Sequence, residues 1–260
     1  TFDNPYTGLL DEISIYQGSM SALKVKERYQ AGIAEYLAYL PCDVMTDATP
    51  NLANGQATAN GTEAPAVIKG VLGGALSFDG SHYLTQPIYE GLQLGGSDFT
   101  IELWARSTDD DAYLFCIGTH NHDNVEGGTG NWVGLERTGG KLRFSIDDDK
   151  TKTDCQYDEG DKVFDGEWHH IACVRNASAK TTTLYVDGQV VANKTGVTTG
   201  DIKFSATELF FIGGDDEPTA GKENRTYSGD LDELTIHPQG HDCRRGRAEL
   251  HDAPRRTERP

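Results

Sequence analysis

From residue 99 to 236 the chain is written in short runs in which apolar and polar residues alternate, each cut off by Gly, Asp or Asn. A period of two puts successive side chains on opposite faces of an extended backbone, so each run is a strand with one face to bury. The runs are Phe99 to Arg106, Tyr113 to Thr119, Trp132 to Arg137, Lys141 to Ile146, Trp168 to Arg175, Thr182 to Val191, Leu209 to Ile212 and Leu231 to Ile236. Thr138-Gly-Gly140 and Asp187-Gly188 are hairpin signals, because glycine accepts the positive φ of a tight turn. Helical spacing is confined to a short stretch near residues 19 to 30, where Ser19 or Ser21 caps a turn that points Leu23 and Val25 inward. The expectation is an all-β fold, an antiparallel sandwich around one extended core.

Charge narrows the partners. The 260 residues hold 41 acids and 23 bases, a net charge of −18. Nucleic-acid binding draws on clustered Lys and Arg, so that class is excluded. No apolar run approaches the roughly 18 residues of a membrane span. Residues 33 to 237 alone hold 33 acids against 14 bases, gathered in knots at Asp109 to Asp111, Asp147 to Asp149, Asp158 to Asp161 and Asp215 to Glu217. Such knots are solvated loop tips or, alternatively, oxygen donors for calcium. Five cysteines, at 42, 116, 155, 173 and 243, form no C-x-x-C pair, so neither a zinc knuckle nor a redox motif is supported. Thr1 opens the chain with neither Met nor a signal-peptide pattern, which reads as a processed or excerpted piece of something longer.

The two ends share a motif. Tyr6-Thr-Gly8-Leu-Leu-Asp11-Glu12-Ile-Ser-Ile-Tyr16 returns as Tyr227-Ser-Gly229-Asp-Leu-Asp232-Glu233-Leu-Thr-Ile-His237. Both copies alternate like strands. Residues 239 to 260 lose this spacing and read as a basic irregular tail.

Several strings together carry a family likeness: Gly74-Ala-Leu-Ser-Phe78-Asp79-Gly80, Phe99-Thr-Ile-Glu102-Leu-Trp104, Asp165-Gly-Glu-Trp168-His169-His170-Ile-Ala, Leu184-Tyr185-Val-Asp187-Gly188 and Gly229-Asp-Leu-Asp232-Glu233. Their order and spacing resemble the laminin-G-like jelly rolls of the concanavalin A-like lectin/glucanase superfamily, over about residues 36 to 237. The resemblance implies an opening strand at Leu37 to Asp43 and three segments. Residues 1 to 32 are the closing strand and short helix of a preceding repeat, or an assembly strand; 33 to 238 are the jelly roll; 239 to 260 are the tail. It also implies a calcium ion tying the opening and closing strands together, with Asp43 and Asp232 as candidate ligands. A turn or hydrogen-bonding role is the other reading of Asp232. An EF-hand loop is absent.

Catalysis finds little support. Glucanases of this superfamily carry Glu-x-Asp-x-x-Glu, whereas Glu159-Gly-Asp161-Lys-Val-Phe164 lacks the last carboxylate. There is no Gly-x-Ser-x-Gly elbow. His120-x-His122 with Asp123 lacks a third converging metal ligand, and adjacent His169 and His170 point to opposite faces of their strand. Binding fits better. One sheet of a jelly roll is often concave, and alternation groups Thr100, Glu102, Trp104 and Arg106 on one face, Trp132 with Glu136, and Lys141 with Arg143 and Ser145. Aromatic faces stack on sugar rings while charged groups take the hydroxyls. Trp132, Arg143, Glu136, Tyr113 and Trp104 are therefore the candidate ligand-binding residues, with Trp132 the favoured platform and Trp104 more consistent with packing. Sequons at Asn60, Asn176, Asn193 and Asn224 permit glycosylation in a eukaryotic host.

The expected function is a non-catalytic module, secreted or at the cell surface, that binds glycan or an extracellular protein. Structural calcium and self-association through residues 1 to 32 belong to the same expectation. A structural repeat of a surface adhesin or filament is one alternative. A polysaccharide-active hydrolase or lyase on the same fold is the other.

Overall fold

The alternating runs do become strands. The computed structural model describes residues 36–60, 64–118, 131–148, 151–196, 200–215 and 225–238. The chain divides into two compact units, Thr1–Ala34 and Glu35–Pro260, and the described residues belong to the second. The short helix and repeat strand expected before residue 33, the His120 and His122 loop, Asn224 and the tail after residue 238 all lie outside the described residues.

The strands in chain order are β1 (Ala38–Leu40), β2 (Ala48–Pro50), β3 (Gln56–Asn60), β4 (Ala66–Lys69), β5 (Gly74–Asp79), β6 (Tyr83–Pro87), β7 (Phe99–Arg106), β8 (Ala112–Gly118), β9 (Asn131–Thr138), β10 (Lys141–Asp148), β11 (Lys152–Tyr157), β12 (His169–Asn176), β13 (Thr181–Val186), β14 (Gln189–Thr195), β15 (Leu209–Ile212) and β16 (Ser228–His237). They form two antiparallel sheets. One runs β14-β13-β12-β7-β16-β5-β4, with β1 also paired to β16; the other runs β11-β10-β9-β8-β15-β6-β3-β2. This is the expected jelly-roll sandwich.

Ala48–Pro50, Gln56–Asn60, Ala66–Lys69 and Tyr83–Pro87 are strands that the sequence reading did not name, and two further details differ from it. Thr182 to Val191 is not one strand: it folds back at Asp187-Gly188, so Thr181–Val186 pairs with Gln189–Thr195 as a hairpin. Lys152–Tyr157 is a strand that alternation did not single out, and it pairs along β10 from Leu142 to Asp147. Its residues Lys-Thr-Asp-Cys-Gln-Tyr are too polar to announce a strand, and cross-strand pairing supplies what propensity lacks.

The inner faces make one core. Phe99, Ile101 and Leu103 from β7 join Phe115 from β8, Leu135 from β9 and Phe144 from β10, all fully buried. Each such side chain contributes about 1.5–3 kcal/mol by leaving water. At one end of the sandwich Arg175 is also buried, donating to the carbonyls of Gly95 at 2.9 Å and Gly200 at 2.8 Å. Cys42 and Cys155 are buried thiols, and burial pushes Cys155 up to about 11. They behave as small hydrophobes.

Candidate functional site

Because Leu135, Leu142 and Phe144 face the core, the residues between them on β9 and β10 face outward. Register then assembles rows across this outer face. Tyr113, Glu136, Arg143 and Gln156 form one row from β8 to β11. The next is Phe211, Cys116, Gly134, Ser145 and Asp154. A third holds Trp132, Asp147 and Lys152. Four of the five candidate ligand residues, Tyr113, Trp132, Glu136 and Arg143, are thus on one face.

Their chemistry centres on Glu136, whose side chain is wholly buried. Arg143 donates to its Oε1 from Nε at 2.6 Å and lies 2.5 Å away through Nη2. Arg225, arriving from the approach to β16, donates to Oε2, to Asp111 and to the Arg137 carbonyl, and its guanidinium lies 4.7 Å from the centre of the Tyr113 ring. Beside this knot Ser145 donates to Asp154 at 2.7 Å, and Lys152 lies 3.7 Å from Asp154 and 5.0 Å from the centre of the Trp132 ring. Asp215 completes the group. Burial pushes its carboxyl up to about 6, against the pull of Arg225 and with help from Glu136 and Asp111. Burial likewise raises the Tyr113 phenol.

The expected platform is corrected. Trp132 is only 1% exposed and Tyr113 is wholly buried; with Cys116 and Phe211 they form a second, smaller apolar cluster on the outside of the sheet. The two rings close over Gly134, where an added Cβ would lie 3.1 Å from each. Alternation assigned the face correctly but says nothing of what covers it, so these rings support the surface and offer no stacking plane. What meets solvent is the β10–β11 flank, with Arg143 and Asp154 partly exposed and Lys152 and Gln156 exposed. Trp104 does not join them. It is on β7 in the other sheet, opposite His170 and Asp232, with its ring 5.2 Å from that of His170.

Arg225, Lys152 and Asp154 escaped the sequence reading, and Asp111 and Asp215 entered it only as members of acidic knots read as loop tips or calcium donors. The only available hint was parity: Lys152 and Asp154 are two apart, as on a common face, but Arg225 comes from 89 residues beyond Glu136.

The metal candidates converge on the turn between β4 and β5. Asp232 Oδ2 accepts from Val71 N at 2.8 Å and Leu72 N at 3.1 Å, while Asp43 Oδ1 accepts from Gly74 N at 2.5 Å. Side chains would collide here: a Cβ at Gly70 would lie 2.5 Å from Asp232 Oδ2, and one at Gly73, at φ +64°, would strike Asp43 Oδ1. The residues beside the two carboxylates, Cys42 and Glu233, hold left-handed φ values of 62° and 53°, a conformation that costs free energy in non-glycine residues. Asp232 is fully buried, and its Oδ1 meets no donor at hydrogen-bond geometry among the described residues. Burial, with a contribution from Asp43, pushes its carboxyl up to about 6. An orphaned buried oxygen beside a second carboxylate fits a hard cation. Among the described residues no three His, Cys, Asp or Glu side chains converge as a ligand set, so backbone carbonyls and water would have to complete the shell.

His169 and His170 point apart as expected, His169 to Asp187 at 2.8 Å and Asp165 at 3.2 Å, His170 to Glu102 at 3.5 Å. Glu159 precedes a single 3-10 turn, Gly160–Lys162, and Asp161 lies within it; they pair with Lys162 and Arg137 respectively.

Several solved structures share this fold. The binding domain of Paraclostridial Mosquitocidal Protein 1 superposes with a TM-score of 0.59 at 16% identity, over 84% of this chain and 52% of that one. Domain 4 of AbnA, an extracellular arabinanase from Geobacillus stearothermophilus, in complex with arabinotriose, gives 0.59 at 16% identity over 81% and 96%. Domains LG4-5 of the mouse laminin alpha1 chain give 0.50 at 17% identity over 69% and 44%. The chain thus spans about half the length of the toxin fragment and of the laminin pair. Among curated proteins none is a significant match. Residues 78–239 match a laminin G-type family profile, and the chain belongs to the concanavalin A-like lectin/glucanases superfamily.

Proposed function

We propose that this chain is a non-catalytic recognition module, extracellular or at the cell surface, that binds glycan through the β10–β11 flank of its second sheet. The observation that carries this reading is the buried Glu136 gripped by Arg143 and Arg225. A fully desolvated carboxylate held from both sides fixes the guanidinium groups in place, and prepositioned donors beside exposed acceptors are what hydroxyl recognition requires. Catalysis fits this arrangement poorly, because both Glu136 oxygens are occupied and Asp215 is buried. The arabinotriose complex of the AbnA domain is consistent with glycan as the ligand class.

Calcium belongs to the same reading. Asp43 and Asp232 would hold it between the opening and closing ends of the first sheet, where its charge would relieve the buried Asp232 carboxylate. No helix among the described residues is long and apolar enough to cross a membrane.

The test is a glycan array probed with the full chain, with and without calcium, beside Arg143→Ala and Lys152→Ala. Selective binding that falls at least about tenfold in the folded variants supports the assignment. Binding that both variants retain in full would place the ligand elsewhere.

One observation favours self-association as a second role. The residue pattern of β16, which pairs with β7, β5 and β1, recurs at Tyr6 to Tyr16, so that segment has the sequence of a strand that bonds on both edges. Concentration-dependent mass of the full chain, abolished by Ile13→Lys, is the expected result. A constant monomer mass at high concentration would remove the idea.

A further inference from the structure

The same face also speaks to which sugars it takes, an argument that rests on the recognition reading above. Five described cations on or beside the β8–β11 face already have a carboxylate. Arg143 and Arg225 share Glu136, and Arg225 also holds Asp111. Lys152 is 3.7 Å from Asp154. At the rim Lys141 pairs with Asp158 at 2.8 Å and Arg137 with Asp161 at 2.5 Å. Five cations are thereby matched by five carboxylates, and Asp147 and Asp215 are present as well. The described side chains of this face carry more acid than base.

An anionic sugar needs a cation whose charge is not already spent, because a carboxylate or sulfate loses its hydration on docking and must be repaid by a counter-charge. This face offers paired cations, within a chain of net charge −18 whose field reaches over about 8 Å at physiological ionic strength. A neutral sugar has no charge for that field to repel, and needs only fixed acceptors and donors for its hydroxyls. Asp154 and Gln156 supply acceptors on the exposed flank, and Arg143 and Lys152 supply donors alongside. The pairing that defeats an anion preorganises the groups that a diol would meet.

We infer that the ligand of this face is an uncharged, hydroxyl-rich oligosaccharide, and that uronate, sialylated and sulfated glycans are rejected.

The test uses the full 260-residue chain. It is presented with neutral arabino-, gluco- and galacto-oligosaccharides and with uronate, sialylated and sulfated counterparts, at about 0.05 and about 0.5 M sodium chloride. The expected result is binding confined to the neutral set, with dissociation constants that change less than about twofold between the two salts. In Asp154→Asn, which strips Lys152 of its carboxylate, neutral sugars bind more weakly and anionic ones gain a salt-sensitive signal. Preferential binding of uronate or sulfated sugars that fades with salt would overturn the inference while leaving the module a glycan binder. A folded Asp154→Asn protein with no new anionic binding would count against the internal neutralisation. A blank array for every class, with circular dichroism showing folded protein, removes the glycan reading itself and this inference with it.

Discussion

A single buried oxygen atom separates the two roles open to Asp232. If the residue only caps the Gly70 to Gly74 turn, its Oδ2 contacts are sufficient and Oδ1 is a pure cost. If it holds calcium, the cost is the site. Asp232→Asn keeps a carbonyl oxygen for Val71 and Leu72 but removes the charge that burial disfavours. We expect this variant to be at least as stable as the parent in chelator and to lose the rise in melting temperature that calcium gives the parent. Equal melting curves for the parent with and without calcium would dismiss the metal. Trp132 makes the opposite case, a residue whose chemistry suggested a ligand and whose surroundings make it a support. With 1% exposure and its ring over Gly134, Trp132→Ala should lower unfolding free energy by about 3–5 kcal/mol in urea denaturation. A loss below about 1 kcal/mol would mean the ring is not packed as described.

Strand β12 opens on two adjacent histidines with opposite responses to pH. Burial works against a charged His169, but hydrogen bonds with Asp187 and Asp165 outweigh it and raise its pKa. His170 on the other face has its pKa lowered by burial, against the attraction of Glu102 and Asp187. The stabilisation from His169 is present below its unfolded pKa, near about 6.5, and is lost as pH rises through the raised folded value. That from His170 is present above about 6.5 and is lost as pH falls toward the lowered folded value. His169→Gln should therefore lower the melting temperature more at pH 5.5 than at pH 8, and His170→Gln should do the reverse; identical losses at both pH values would refute the assignment. Within each strand such facing was legible, since parity fixed Trp132 with Glu136 and Lys141 with Arg143. Order between strands was not legible, because β10 and β11 meet through backbone bonds that no local pattern encodes. The missing half of the site, Arg225 with Asp111 and Lys152 with Asp154, is made by that register and by a contact 114 residues long.

At the scale of the molecule, acid acts first through buried carboxylates. Asp215 and Asp232 both stand near 6 where about 3.8 is ordinary, so the folded protein binds protons there that the unfolded chain does not. Their contribution to stability grows as pH falls from above 6 to about 4, by on the order of 2 kcal/mol each. In chelator, the urea midpoint should thus rise between pH 7 and pH 5, and saturating calcium should flatten the part due to Asp232. A midpoint that falls over this interval in the His169→Gln, His170→Gln background would exclude the two acids as its controlling groups. The order of strands has a consequence for how a cell makes the protein. β7 finds β12 soon after both are synthesised, but its other neighbour, β16, is the last of the described strands. At about 5–20 residues per second, a ribosome holds the nascent chain for several seconds with the seam between β7 and β5 unfilled. Through that interval the half-built sheet shows an apolar slot to its surroundings, and the slot closes only when Ser228 to His237, the keystone strand, emerge.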